Sequence, residues 1–138
     1  SAMGLGVALV TGKRVVVLDG DGAALMKLGS LATIGATQPP GLLHVLLDNG
    51  VHDSTGGQAT VSPVVDFPGV ALACGYRAAF ACDSVAGFAR AFAESLAGTG
   101  PVLIHVRIRP GSMEKLGRPT IAPHEVAQRF RHFLAQAA

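Results

Sequence analysis

The sequence has no tryptophan, one tyrosine and two cysteines in 138 residues, and each shortage removes a class of protein. Two thiols, Cys74 and Cys82, are too few for a disulfide framework. Both sit in apolar stretches, where buried reduced thiols are the rule for an intracellular chain, so we expect a cytoplasmic protein. Charge is equally thin: 14% of residues, for a net of +2, too weak and too scattered for a nucleic-acid surface. The densest basic grouping, Arg107 to Arg118, has no aromatic residue beside it. No apolar run approaches the roughly 18 residues of a membrane span. Val15 to Leu18 is short, and Leu42 to Leu47 is broken by His44. A signal peptide and a lipidation motif are also missing. Cys/His spacings of a zinc site, a GxxxxGK[ST] loop and a GxSxG context for Ser54 are all absent, which sets aside zinc, P-loop and serine-hydrolase chemistry.

Apolar residues, by contrast, make up 49% of the chain, with a mean hydropathy of +0.44. Without a span to explain it, this surplus implies a large protein interface, hence an oligomer or a partner subunit. The length fits one domain, residues 1–138. Ser1-Ala2 ahead of Met3 reads as a cloning remnant, so the native start is expected to be internal or redefined.

Along the chain, β-branched runs alternate with helical spacings. Gly4 to Val10 reads as the end of an apolar helix stopped near Gly12. Arg14 to Leu18 reads as a strand buried on both faces. Ala23 to Ala36 has the stripe of one helix (Leu25, Met26, Leu28, Leu31, Ile34), and Leu42 to Leu47 is a second buried strand. Asp48 to Pro63 is a long glycine-rich loop of the kind that carries function. Phe67 to Cys74 predicts a helix closed by Gly75, Tyr76 to Ala81 a strand, Asp83-Ser84 the cap of a helix to about Ala97, and Val102 to Ile108 a fourth strand. After a loop from Pro110 to Pro123, His124 to Ala137 predicts an amphipathic helix. Such alternation means an α/β fold, a parallel sheet with helices on both faces. Ligands of such sheets bind beyond the carboxyl ends of the strands.

Two of those ends carry chemistry. The first strand runs into Asp19-Gly20-Asp21-Gly22-Ala23 and a helix. Here glycine permits close backbone approach and a helix N-terminus offers free N–H groups to a phosphate. A plain turn with Asp21 as N-cap explains the same residues. A dinucleotide fingerprint does not fit, because its third glycine falls on Leu25. The second strand ends in Asp48-Asn49-Gly50. A carboxylate, an amide oxygen and a backbone carbonyl are hard oxygen donors suited to Mg2+, which completes its shell with water and phosphate.

Gly20-Asp21-Gly22, 26 further residues and then Asn49 resemble the thiamine-diphosphate motif, GDG followed at such a spacing by an asparagine pair. Asp48 stands where the first asparagine is usual. The resemblance implies thiamine diphosphate and Mg2+ as cofactors, with Asp21, Asn49 and the carbonyl of Val51 on the metal. Gly20, Gly22 and Ala23 would lie at the diphosphate. Asp48 should matter less, beyond altering local hydrogen bonds. Val51 to Thr60 further resembles the HDSxGGQPT segment of phosphonopyruvate decarboxylases, with Ala59 for proline, and Leu116 to Thr120 resembles their LGRPT segment. This implies decarboxylation of 3-phosphonopyruvate, a small anionic 2-oxo acid, to phosphonoacetaldehyde and CO2. Sulfopyruvate decarboxylases are the sibling branch. A non-catalytic cofactor-binding or assembly module is the reading from another class. The family also implies a glutamate on a separate pyrimidine-binding domain or subunit, since Glu94, Glu114 and Glu125 lie on no matching motif. The chain is expected to lack its first strand, and to be inactive alone.

Other polar residues have two readings each. His52 and Asp53 follow the metal loop and are candidates for proton transfer and substrate contact, or else a histidine and its neighbours satisfied within a loop. Ser54 and Gln58 are candidates for cofactor or substrate hydrogen bonds. Arg118, with Lys115, suits a dianionic head group or is a solvated loop cation. His44 and His105 interrupt apolar strands and read as core or interface histidines.

Overall fold

In a computed structural model, which describes residues 1–111, 115 and 117–136, the alternating pattern becomes six strands and six helices. Helix α1 (Ala2–Thr11) leads into β1 (Val15–Gly20), α2 (Asp21–Met26), α3 (Gly29–Thr37) and β2 (Leu42–Asp48). A small hairpin follows, β3 (Val51–His52) with β4 (Gln58–Ala59). The chain then forms α4 (Phe67–Ala73), β5 (Ala78–Cys82), α5 (Val85–Ala97), β6 (Val102–Arg107) and α6 (Pro123–Gln136). The main sheet is parallel throughout, in the order β1-β2-β6-β5. Parallel neighbours cannot be joined by tight turns, so each connection crosses a face of the sheet and helices cover both sides.

Alternation along each strand divides the core into two layers. Leu42 and Leu46 of β2 and Leu103 of β6 pack with Leu5 of α1, Leu31 and Ile34 of α3, and Phe67 and Ala71 of α4. On the other face Leu43, Val45, Val102, Ile104 and Val106 pack against Ala91, Phe88 and Phe92 of α5. Helix α3 can lie on the end of α4 only as glycine at position 35, since a Cβ there would run into the backbone carbonyl of Cys74. Asp66 caps α4 by accepting from the Gly69 N–H at 3.0 Å, and Ser84 caps α5 through Gly87 N–H at 3.2 Å.

Four expectations change. The run Arg14 to Leu18 is not buried on both faces: β1 is an edge strand, and Val16 and Leu18 are 41% and 70% exposed. Val15 and Val17 pack on the first core layer, while on the second face α5 makes its main contacts with β5 and β6 and leaves Val16 and Leu18 exposed. The single helix expected from Ala23 to Ala36 is two, because Lys27 leaves the helical region (φ −134°, ψ 41°) ahead of Gly29. A spacing pattern cannot see that Gly29 weakens helix propagation. The third strand starts at Ala78 rather than Tyr76, and the loop from Asp48 to Pro63 contains the β3–β4 hairpin. Ala137, Glu114 and Leu116 of the sequence reading lie outside the described residues. No described helix is long and apolar enough to cross a membrane.

Replacing Gly35 with alanine should force α3 and α4 apart at a backbone contact that cannot yield by rotamer change. The expected cost is about 3 kcal/mol, seen as a lower urea-denaturation midpoint at unchanged slope. A midpoint equal to that of the unaltered chain would contradict the packing described for this helix pair.

Candidate functional site

The register of β1 on β2 brings Gly20 opposite Leu47, so Asp21 and Asp48-Asn49 leave the sheet at one edge. There a cleft of about 700 Å³ opens, within the size range of small-molecule sites. Gly20, Asp21, Gly22, Ala23, Asn49, Val51, His52, Asp53 and Ser54 all line it, with Leu18, Met26, Leu47 and Ile108 as an apolar rim. Asp21 is the first residue of α2, whose N-cap is Gly20, and no side chain caps that helix. Its first-turn N–H groups are therefore left for an anion. The turn thus serves the ligand-binding reading better than a plain Asp21 cap.

Asp21 is 2% exposed. Its Oδ2 accepts from the Thr60 hydroxyl at 2.5 Å. Oδ1 has no partner among the described residues, and among them no buried side-chain oxygen is left unpaired, so Oδ1 keeps some exposure on a residue that lines the cleft. The amide of Asn49 is oriented at both ends. Its Nδ2 donates to Asp53 Oδ2 at 2.9 Å, and its Oδ1 accepts from Val51 N–H at 3.1 Å. In the hairpin, Thr60 N–H donates to the Gly50 carbonyl. Successive carbonyls alternate along an antiparallel strand, so the carbonyl of Val51 faces away from β4, on the side of the Asn49 oxygen. Asp21 Oδ1, Asn49 Oδ1 and the Val51 carbonyl form a donor set of the hard oxygen type that Mg2+ takes. No cluster of three or more His, Cys, Asp or Glu residues able to hold a metal occurs among the described residues.

The ring of His52 lies against Gly22, where an added Cβ would be 2.6 Å from it. Neither ring nitrogen has a hydrogen-bond partner among the described residues, so this histidine is not satisfied by its neighbours. Asp53 is differently placed. Its Oδ2 is shared between the Asn49 amide and Gly111 N–H at 3.0 Å, so it orients Asn49 and tethers the chain after β6. Gln58 and Arg118 are exposed and outside the cleft lining; Gln58 Nε2 donates to the Thr55 carbonyl at 3.4 Å. The structure therefore gathers nine of the twelve site candidates named from the sequence, but not these two or exposed Lys115.

Behind the cleft lies a polar network in which His44 and His105 are core histidines, as read from the sequence, but whose pairings the sequence did not show. Asp48 Oδ1 accepts from Ser62 Oγ at 2.7 Å and from Gly50 N–H at 3.1 Å, and its Oδ2 accepts from His105 Nε2–H at 2.8 Å. Burial pushes the Asp48 carboxyl up, but the hydrogen bonds from Ser62, His105 and Gly50 outweigh it and hold the group below the ordinary carboxylate range. Asp48 is thus fully used inside the protein, which is how an aspartate there coexists with a metal loop. A parallel pair sits under β1: His44 donates from Nε2 to Asp19 Oδ2 at 3.3 Å and accepts the Tyr76 hydroxyl at Nδ1 at 3.2 Å. The His44 hydrogen bond holds the Asp19 carboxyl below its ordinary value against the opposing effect of burial. Histidines interrupting apolar strands were the available signal. Their partners became visible only with the strand order.

Replacing Asp48 with alanine strands two buried donors, on Ser62 and His105, and the half-buried Gly50 N–H, and we expect a loss of about 3 kcal/mol in urea denaturation at neutral pH. Asp48→Asn, which keeps one acceptor oxygen, should fall between the two. Alanine and asparagine variants both as stable as the unaltered chain would show that this carboxylate organises nothing.

The sequence profile described as "Thiamine pyrophosphate enzyme, C-terminal TPP binding domain" matches residues 1–106. The chain is 60% identical over 136 residues to "Phosphonopyruvate decarboxylase" of Streptomyces hygroscopicus, covering 99% of this chain and 34% of that protein. It is 43% identical over 114 residues to "Sulfopyruvate decarboxylase subunit beta" of Methanothermobacter thermautotrophicus, covering 83% of this chain and 59% of that protein. The corresponding subunit of Methanococcus maripaludis is 36% identical over 135 residues, 94% of this chain and 69% of that protein. Among solved structures, a candidate thiamin diphosphate-dependent enzyme from Mycobacterium smegmatis superposes with a TM-score of 0.59 at 23% identity, over 71% of this chain and 18% of that one. At that identity the likeness speaks for the fold alone. The chain spans about a third of the length of the phosphonopyruvate decarboxylases it matches.

Proposed function

This chain belongs to the thiamine pyrophosphate enzymes, as their C-terminal TPP binding domain, and from that premise we propose that it is the diphosphate- and Mg2+-binding part of a decarboxylase of 3-phosphonopyruvate. The observation that carries the reading is the convergence on one cleft of an uncapped helix start and three oxygen donors, in a chain 60% identical to a phosphonopyruvate decarboxylase. When bound, thiamine diphosphate supplies the electron sink for loss of CO2. The chain holds and orients. Asp21, Asn49 and the Val51 carbonyl hold Mg2+, and the N–H groups of Gly22 and Ala23 meet the diphosphate beside Gly20. Leu18, Met26 and Ile108 form the apolar rim of the cleft. His52, whose ring nitrogens have no partner among the described residues, would deliver to the substrate carbon the proton that takes the place of CO2 in the aldehyde, or hold the substrate carboxylate. Asp53 acts through Asn49. Ser54, on the cleft lining, offers a hydroxyl for a substrate hydrogen bond, whereas Gln58 and Arg118 lie outside that lining and take no part in this reading.

Activity requires a pyrimidine-binding domain or subunit, which carries the glutamate this chain lacks. The uncovered face of β1, Val16 with Leu18, supports such a partner. A sulfopyruvate decarboxylase subunit is the second reading, and one observation favours it. The chain covers 69% of the M. maripaludis beta subunit, so a separate subunit of which this chain accounts for about two thirds exists among its relatives.

Release of CO2 from phosphonopyruvate and from sulfopyruvate, with Mg2+ and thiamine diphosphate, separates the readings. We expect turnover of phosphonopyruvate once the chain is joined to its pyrimidine-binding partner, and none from the chain alone. Preference for sulfopyruvate would move it to the sibling branch; cofactor binding without turnover of either acid would leave a non-catalytic module. In calorimetric titration, Asp21→Ala should weaken Mg2+-dependent thiamine diphosphate binding by at least about 100-fold. Unchanged binding would sink the ligand assignment.

A further inference from the structure

Thr60 closes the segment Val51 to Thr60, yet it is neither in the cleft lining nor among the ligands. It is 9% exposed, and the β3–β4 hairpin returns it to the start of α2, where its backbone N–H donates to the Gly50 carbonyl at 2.8 Å. The direction of its hydroxyl proton follows from its two contacts. Oγ1 accepts from Ser62 N–H at 3.3 Å, so the single hydroxyl proton is directed to Asp21 Oδ2 at 2.5 Å. A hydroxyl gripping one oxygen of a carboxylate fixes its rotation and leaves the other oxygen as the freer ligand, which disfavours chelation of a metal through both. The grip is itself held from behind. Ser62 Oγ donates to Asp48, Asp48 accepts from His105, and the His105 ring stands edge-on to buried Phe67 at 5.2 Å between centroids. Every link in this row is buried.

We propose that Thr60 is a positioning residue that fixes Asp21 as a one-oxygen ligand and thereby fits the site to Mg2+ over Ca2+. The inference rests on the reading of Asp21 as a metal ligand. Mg2+ demands near-ideal octahedral geometry at about 2.0–2.1 Å, whereas Ca2+ takes longer, variable bonds and accepts two oxygens of one carboxylate. Freed from Thr60, Asp21 gains a rotatable carboxylate with both oxygens available. That change penalises the ion with strict geometry and spares the one without it. Partners behind a ligand commonly control affinity on the order of 10–100-fold.

The test is metal binding by the full chain in the presence of thiamine diphosphate, followed by titration calorimetry with Mg2+ and with Ca2+, so that no turnover is needed. Thr60→Val removes the hydroxyl at similar volume and should weaken Mg2+ by about 10–100-fold while weakening Ca2+ distinctly less. Thr60→Ser keeps the hydroxyl and should restore the Mg2+ affinity of the unaltered chain, a rescue that a merely space-filling role would not produce. Thermal melts of the metal-free variants check folding; should Thr60→Val fail to fold, Thr60→Ala carries the same expectation. Unchanged Mg2+ affinity in the hydroxyl-less variant, or equal losses for the two ions, would overturn the assignment. Mg2+-independent behaviour of the unaltered chain as well would overturn the underlying ligand reading, and this inference with it.

Discussion

A buried carboxylate at the carboxyl end of β2 organises this end of the molecule. Removing an ionised group from water costs several kcal/mol unless its lone pairs are met by donors held in place. Asp48 is 7% exposed and meets that condition with three donors from separate parts of the chain: the Gly50 turn, the return of the hairpin at Ser62, and His105 on β6. Satisfying one charge therefore fixes the turn that presents Asn49, the hairpin that presents Thr60, and the adjoining strand. The ligand-bearing loop is long and glycine-rich, but its base is pinned from three sides. Function and stability are coupled at this corner because the same hydrogen bonds serve both.

The outer surface shows the opposite condition, apolar groups without cover. Val16 and Leu18 on β1 and Val126, Phe130 and Phe133 on α6 are exposed, the last three at the i, i+4, i+7 spacing of one helix face. These patches account for much of the apolar surplus in the composition and fit a chain that completes its site against a partner. The cleft itself shares this character, since Leu18 is both an exposed edge residue and part of its rim. Cofactor and partner would thus meet on continuous surface.

Much of the architecture was legible because it rests on local rules. The strands at Leu42 and Val102, the capped helix after Ser84 and the parallel order of β1 and β2 follow from periodicity, capping chemistry and the length of the crossovers. The break at Lys27 was not legible, since an apolar stripe continues across it and masks the weak helix propagation at Gly29. Nor was the exposure of β1, because a run of valines looks alike at the centre of a sheet and at its edge. The site divides in the same way. Its cleft-lining residues sit at strand ends and carry a recognisable motif, whereas Gln58 and Arg118 were drawn from motif segments whose side chains project elsewhere.

By itself the sequence determined the element order, the parallel α/β class and the donor types at the two strand ends, all of which depend on residue spacing and side-chain chemistry within short windows. Only the tertiary structure decided which polar residues support those donors. Thr60 reaches Asp21 across 39 positions and His105 reaches Asp48 across 57, contacts with no local signature. They exist because β6 pairs beside β2 and the chain after the hairpin returns Thr60 to the start of α2. Pairing between distant residues is set by strand order and loop closure, and buried polar groups then take whichever partner that topology delivers.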